Sequence, residues 1–213
     1  MSALDPTPSH TVGPFYGYAL PFPGGGEIAP FGHPDTITLH GYVLDGEGAP
    51  VPDALVEIWG PGPDGELPRR GGSMRRDPVT GGFLGRNGVD FTGFGRVPTD
   101  ADGHWTVRTL RPGRRGASAP YLSLCVFARG LTHHLFTRAY LPEPAEARAA
   151  DPLLASLPPA RAATLVAHPE PNHPEPNHPE PNRTYRFDIR LQGDGSQGAG
   201  SRGGDETVFL EFT

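Results

Sequence analysis

Arg129 is the residue whose type and place most suggest binding chemistry. It closes the stretch Ala119-Pro120-Tyr121-Leu122-Ser123-Leu124-Cys125-Val126-Phe127-Ala128-Arg129-Gly130, and a strand that ends in an arginine just before a glycine delivers a polar group to the rim of a core. A surface arginine ending a strand is the commoner occurrence on base rates. Metal chemistry has weaker support, although the chain has nine histidines. His133 and His134 are adjacent, so on a strand they would face opposite sides and could not chelate one ion together. His40 and His104 fall on separate predicted strands, and His10 and His33 lie in a proline-rich N-terminal arm. The chain contains no His-x-His, His-x-x-x-His or Cys-x-x-Cys pair. No Gly-x-Ser-x-Gly and no phosphate loop is present. Cys125 alternates with apolar residues, which reads as an inert buried thiol. From the residues themselves, no catalytic group and no metal site emerges.

The elements that must position Arg129 read as strands. In the stretch from Tyr121, Leu122, Leu124, Val126 and Ala128 fall on one face, while Tyr121, Ser123, Cys125, Phe127 and Arg129 fall on the other. The first face is wholly apolar. Thr36 to Leu44 and Ala54 to Trp59 are two further strands about the turn Asp45-Gly46-Glu47-Gly48, readable as the first hairpin of a sandwich. His104 to Leu110 follows the turn Thr99-Asp100-Ala101-Asp102-Gly103, and Leu131 to Leu141, Thr184 to Gln192 and Glu206 to Phe212 complete the set. Short helical pieces are expected between Glu143 and Val166. Residues 60 to 95 are punctuated too often by Gly and Pro for regular structure and read as a long loop, functional or at an interface.

With 30 Gly, 27 Pro and 20% charged residues, the composition favours short strands over long helices. An all-β, single-domain β-sandwich over residues 1–213 is the expectation. Its divisions are an extended arm at 1–35, a sandwich with short helices at 36–165, a Pro-rich insertion at 166–183 and C-terminal strands at 184–213, carrying a Gly/Ser-rich insertion at 193–204. The arm's Phe15, Tyr16 and Tyr18 suggest that it is packed down, on this chain or another. The insertion is His-Pro-Glu-Pro-Asn three times over from His168; a pentapeptide is too short for a supersecondary unit, and the tract reads as solvated. A net charge of -6 gives no basic stripe for nucleic acid, and no apolar run approaches a membrane span. The N-terminus carries no export signal and a single cysteine cannot form an internal disulfide, so the cytoplasm is the expected location. All 18 basic residues are arginine, which composition bias explains as well as recognition does.

Several segments taken together resemble the intradiol ring-cleaving dioxygenases. They are Leu39 to Trp59 (Leu-His-Gly-Tyr-Val-Leu-Asp-Gly-Glu-Gly-Ala-Pro-Val-Pro-Asp-Ala-Leu-Val-Glu-Ile-Trp), Thr99 to Trp105, and Thr109-Leu110-Arg111-Pro112-Gly113. More specific are Thr7 to Phe15, Phe127-Ala128-Arg129-Gly130, Tyr185 to Gly193 and Glu206 to Phe209, which look like the alpha-type chain of a two-chain member. The resemblance implies a β-sandwich and a ferric iron held by two tyrosines and two histidines, with oxygen inserted between the hydroxyl-bearing carbons of a catechol. At the two histidine positions this chain has Tyr121 and Ser123. Arg114 and Arg115 stand where one tyrosine belongs, and residues 60 to 95, where the other belongs, contain no tyrosine. The resemblance therefore implies that Fe(III) belongs to a partner beta subunit, with no metal ligand and no catalytic residue in this chain, which completes the pocket for a small aromatic acid. Carried over by position, Thr11, Gly13, Pro14 and Arg129 would line it. His10 and Val12 depart from the usual alpha-chain pattern, which bears on the exact ring substrate. Two alternatives stand beside this: a self-sufficient enzyme with substituted ligands such as Tyr121, His133 or His134, and a β-sandwich interaction module without dioxygenase partnership.

Overall fold

A computed structural model describes residues 16–68, 74–142, 144–170, 183–192 and 206–211. Two sheets face one another. In the first, β1 (Thr36–Leu44) runs antiparallel to β6 (His104–Leu110) on one side and parallel to β10 (Thr184–Arg186) and β11 (Ile189–Arg190) on the other, with β9 (His168–Pro169) outside β10. The second has the order β5 (Phe94–Pro98), β2 (Leu55–Trp59), β7 (Tyr121–Phe127), β8 (Leu135–Tyr140). Their inner faces share one core in which Leu39, Val43, Trp105, Val107 and Ile189 meet Val56, Ile58, Leu122, Leu124 and Val126. The alternation read along the Tyr121 strand holds: its apolar face is buried, and Tyr121, Ser123, Cys125 and Phe127 are half-buried.

Several expectations change. β1 and β2 are not a hairpin. The Asp45–Ala49 turn does fold back, with the Asp45 carboxylate accepting from the N–H groups of Glu47 and Ala49. The chain then crosses at Pro52-Asp53 into the other sheet, because both strands carry core residues that must face each other. Residues 60 to 95 are not all loop: β3 (Met74–Arg76) and β4 (Phe83–Arg86) form a hairpin, and β5 begins at Phe94. The hairpin turns on Asp77, whose carboxylate accepts from Val79 and Thr80 N–H and is held below the usual carboxylate range by those bonds. The strand expected over Thr184 to Gln192 is interrupted at Phe187-Asp188, where the Asp188 carboxylate accepts from Tyr42 N–H. Of the strand expected over Glu206 to Phe212, the described residues keep a single bridge, Leu210 to Phe136.

The described part of the arm, from Tyr16 onward, packs on its own sandwich. Tyr16–Ala19 forms a helical turn, α1, in the proline-free window between Pro14 and Pro21. Beyond it, Arg96 N–H donates to Gly25 O and Arg108 N–H to Gly26 O, so the arm joins β5 to β6 and buries Ile28 between the sheets. Helices fall in the expected span: α2 (Ala145–Ala149), α3 (Pro152–Ser156) and α4 (Pro159–Ala163), over a second cluster of Ala119, Tyr140, Leu154 and Leu165. Residues 166–170, read from sequence as the start of the Pro-rich insertion, are held against the sandwich. Ala167 is buried, His168–Pro169 pairs with Tyr185 and Arg186, and Glu170 accepts a hydrogen bond at 2.9 Å from His40 Nε2. No helix among the described residues is long and apolar enough to cross a membrane.

Candidate functional site

Arg129 lies two residues beyond β7, in a turn closed by the Leu131 N–H to Ala128 O bond at 3.2 Å. Gly130 has φ 87°, which permits the sharp departure that leaves the arginine at the tip. β2 and β7 are antiparallel with Leu55 opposite Phe127, and continuing that register two residues past the ladder places Asp53 opposite Arg129. The Arg129 Nη2 group donates to Asp53 Oδ2. That hydrogen bond and the carboxylate's charge hold the guanidinium still more firmly protonated. The Arg129 side chain is 66% exposed, so most of its fork faces outward.

Tyr16 of the arm completes this corner. Its ring centroid lies 6.3 Å from that of Phe127, and burial, with the Asp53 charge second and Arg129 opposing, pushes its phenol up to about 12. Tyr16, Phe127, Ala128, Leu131, Thr132, His133 and His134 enclose a pocket of about 170 Å³ beside Arg129. Here the expectation for the two histidines changes: β8 starts at Leu135, so His133 and His134 lie in a turn, and both line the same pocket. His134 sits between Phe127, tilted to it at 42°, and Phe136, edge-on to it at 84°, and His133 shares a 3.2 Å hydrogen bond with Thr132. Thr11, Gly13, Pro14 and His10 lie outside the described residues.

The structure also juxtaposes His40 and His104, which sequence separates by strand. Positions 40 and 106 are paired across β1 and β6, and the ring nitrogens of His40 and His104 approach to 3.1 Å. Their neighbours are Tyr42 and Glu170.

Tyr121, Arg114 and Arg115 border a polar cavity of about 440 Å³ together with Asp64, Gly65, Glu66 and Gly116. The Arg138 guanidinium stacks 4.3 Å from the centre of the Tyr121 ring, and Ser123 pairs across the sheet with Arg138. Iron does not fit this set. A guanidinium has no lone pair to donate, its charge repels a cation, and one phenol with one hydroxyl cannot supply a closed ligand shell. Among the described residues no group of three or more His, Cys, Asp or Glu is placed to hold a metal. Cys125, on the same strand face, is driven up to about 12 by burial and by Glu57.

Sequence reasoning missed Asp53. Its signal was present in the spacing, since the two strands it joins to were both recognised, but their pairing was not.

The dioxygenase family model matches residues 28–193. The chain is 37% identical over 224 residues to a protocatechuate 3,4-dioxygenase alpha chain from Burkholderia cepacia, covering 99% of this chain and 100% of that one. It is 31% identical to a protein of the same name from Pseudomonas putida, with 98% of each covered. In structure it is similar to the dioxygenase domain of a dioxygenase carbohydrate-binding fusion from Streptomyces sp. SirexAA-E, with a TM-score of 0.55 at 22% identity, covering 89% of this chain and 99% of that one. It is also similar to 3-chlorocatechol 1,2-dioxygenase from Rhodococcus opacus 1CP, with a TM-score of 0.53 at 17% identity, covering 79% and 65%. By that family match and these relatives, the chain belongs to the intradiol ring-cleaving dioxygenases, an iron-dependent family of oxidoreductases, and within it is similar over its whole length to protocatechuate 3,4-dioxygenase alpha chains.

Proposed function

We propose that this chain is the non-iron alpha subunit of a protocatechuate 3,4-dioxygenase and completes the substrate pocket of an iron-bearing beta subunit. The observation that carries the reading is the donor set at the ligand positions: Arg114, Arg115, Tyr121 and Ser123, in a chain otherwise similar end to end to alpha chains. The reaction of the assembled enzyme joins O2 to 3,4-dihydroxybenzoate, breaking the carbon–carbon bond between the hydroxyl-bearing carbons and placing both oxygen atoms in the product 3-carboxy-cis,cis-muconate. This chain's part is binding and orientation. Arg129, anchored on one side by Asp53, offers its remaining N–H donors to the substrate carboxylate, a charge-assisted pairing that fixes the ring's direction. Thr11, Gly13 and Pro14 are assigned to the same pocket by their position in the alpha-chain pattern, and a glycine at 13 would permit close backbone approach to the substrate.

The test is iron content and 3,4-dihydroxybenzoate-dependent oxygen uptake, for the chain expressed alone and co-expressed with its partner chain. Iron and activity in the two-chain complex, and neither of them in the lone chain, support the reading. Iron and ring cleavage from the lone chain overturn it and return attention to Tyr121, His133 and His134. In the complex, Arg129→Ala raises the KM for 3,4-dihydroxybenzoate about 10-fold, the usual order for losing a charge-assisted contact; an unchanged KM and kcat refute the role of Arg129.

A further inference from the structure

Asp53 is energetically out of place unless it has a task. Among the described residues it is the one non-glycine with positive φ, at 63°, a left-handed conformation that Asp tolerates and that still strains an L residue. Its Oδ1 is buried and finds no hydrogen-bond partner among the described residues, a second local cost. The surroundings enforce both. Buried Thr99 clamps the turn on either side of Asp53: its hydroxyl donates to Val51 O and accepts from Ala54 N–H, each at 2.9 Å, while Thr99 N–H donates to Ala54 O at 2.8 Å. The Asp53 side chain takes no part in that clamp. Its visible contact is the Arg129 guanidinium. A strained residue over-determined by its neighbours, with one charged contact at a pocket rim, is the pattern of a functional constraint.

We propose that Asp53 is a positioning residue for Arg129, holding Nη2 so that the rest of the guanidinium fork faces the carboxylate of an aromatic acid. The inference rests on the reading of Arg129 given above. The geometry is that of a fork gripped at one tine. A guanidinium has five N–H donors in a plane, so a carboxylate behind it fixes the plane and leaves the outer edge for a second, bidentate carboxylate. Tyr16 backs the same corner: its own hydroxyl is buried without a partner among the described residues, and the arm's Gly17 backs on Asp53, with a methyl group there falling 3.8 Å from the Asp53 carbonyl. Without Asp53, the long arginine side chain regains its rotamers at a tip that is otherwise exposed.

The experiment uses the co-purified two-chain enzyme carrying Asp53→Gly, Asp53→Asn or Arg129→Ala, with 3,4-dihydroxybenzoate and the uncharged catechol as substrates. Glycine relieves the left-handed strain and removes the orphan oxygen, so the Asp53→Gly enzyme melts no lower than its parent. Its KM for 3,4-dihydroxybenzoate rises about 5-fold, the upper range for freeing an exposed ion pair, while its KM for catechol and both kcat values stay as they were. Asparagine tolerates the same backbone and keeps a neutral acceptor, and it gives a smaller rise. Three results overturn the inference while leaving Arg129 its role: an unchanged or lowered KM in Asp53→Gly where Arg129→Ala raises it, an equal rise for both substrates, or a rise matched by a fall in melting temperature. No effect of Arg129→Ala on either substrate removes the reading on which the inference stands.

Discussion

Replacing Asp151 with alanine should destabilise this chain more than any other single carboxylate deletion outside the Arg129 corner. Asp151 is completely buried. Its Oδ1 caps α3 by accepting from Leu153 N–H at 2.9 Å and Leu154 N–H at 3.1 Å, and also accepts from the Tyr140 hydroxyl at 3.2 Å. Oδ2 accepts at 2.9 Å from the N–H of Ala119, the residue that leads into β7. One side chain thus ties a helix, a strand end and the approach to the strand that carries Arg129. Losing the cap costs about 1 kcal/mol. Stranding the buried Ala119 N–H and weakening the Tyr140 contact add about 2–3 kcal/mol, because Ala119 and Tyr140 are as fully buried as Asp151 and water does not replace the lost oxygen readily. The total of about 3–4 kcal/mol corresponds to a fall of about 10 °C in Tm for a chain of this size. Urea unfolding followed by circular dichroism, with a thermal melt on the same samples, measures both. Asp151→Asn keeps an acceptor for the cap but turns an amide NH2 toward Ala119 N–H, and should fall between the parent and alanine. An Asp151→Ala variant within about 1 kcal/mol of the parent would refute the reasoning.

Three further predictions concern buried groups and a close backbone approach. Burial raises the phenols of Tyr16 and Tyr140 from 10.0 to about 12, so the native state keeps protons that the unfolded chain releases. The stability they contribute is complete below pH 10 and is lost as pH rises toward 12. Tyrosinate absorbance of the native chain should accordingly show Tyr16 and Tyr140 ionising only as the fold is lost, and their ionisation near 10 in the native chain, followed with Tyr16→Phe and Tyr140→Phe, contradicts this. The Cys125 thiol, pushed up to about 12, should react with iodoacetamide near neutral pH far more slowly in the native chain than in urea, and equal rates contradict its burial. Gly41→Ala would put a methyl carbon 1.9 Å from the Phe187 carbonyl oxygen, forcing β1 from the junction of β10 and β11 at a cost of about 2 kcal/mol or more, read from the urea midpoint.

Much of the scaffold is legible in local pattern. Leu122, Leu124, Val126 and Ala128 alternate in sequence and line the core, because strand geometry sends every second side chain the same way whatever the strand pairs with. Arg129 before Gly130 is legible for another local reason: a left-handed glycine marks the turn just beyond the strand, and the arginine stands at that turn. The hairpin within residues 60 to 95 was hidden because its strands are three and four residues long and largely exposed, with little apolar alternation to read. The start of the Pro-rich tract was hidden for another reason. His168-Pro169-Glu170 has the same composition as the copies after it, and it is placed against Tyr185, Arg186 and His40 by the sheet edge, not by its own propensity.

What the sequence determined by itself was the periodicity of the strands and the turns between them, properties of residues near one another along the chain. What the tertiary structure decided was partnership. Whether β2 pairs with β1 or with β7 depends on which pairing lets both strands bury their apolar faces in one core, and that choice brings Asp53 to Arg129 across 76 residues. The same global packing sets His40 beside Glu170 across 130 residues and lays the arm along β5 and β6. Local sequence carries no record of such distances, because register between strands is set by the summed burial of two sheets and not by either partner residue.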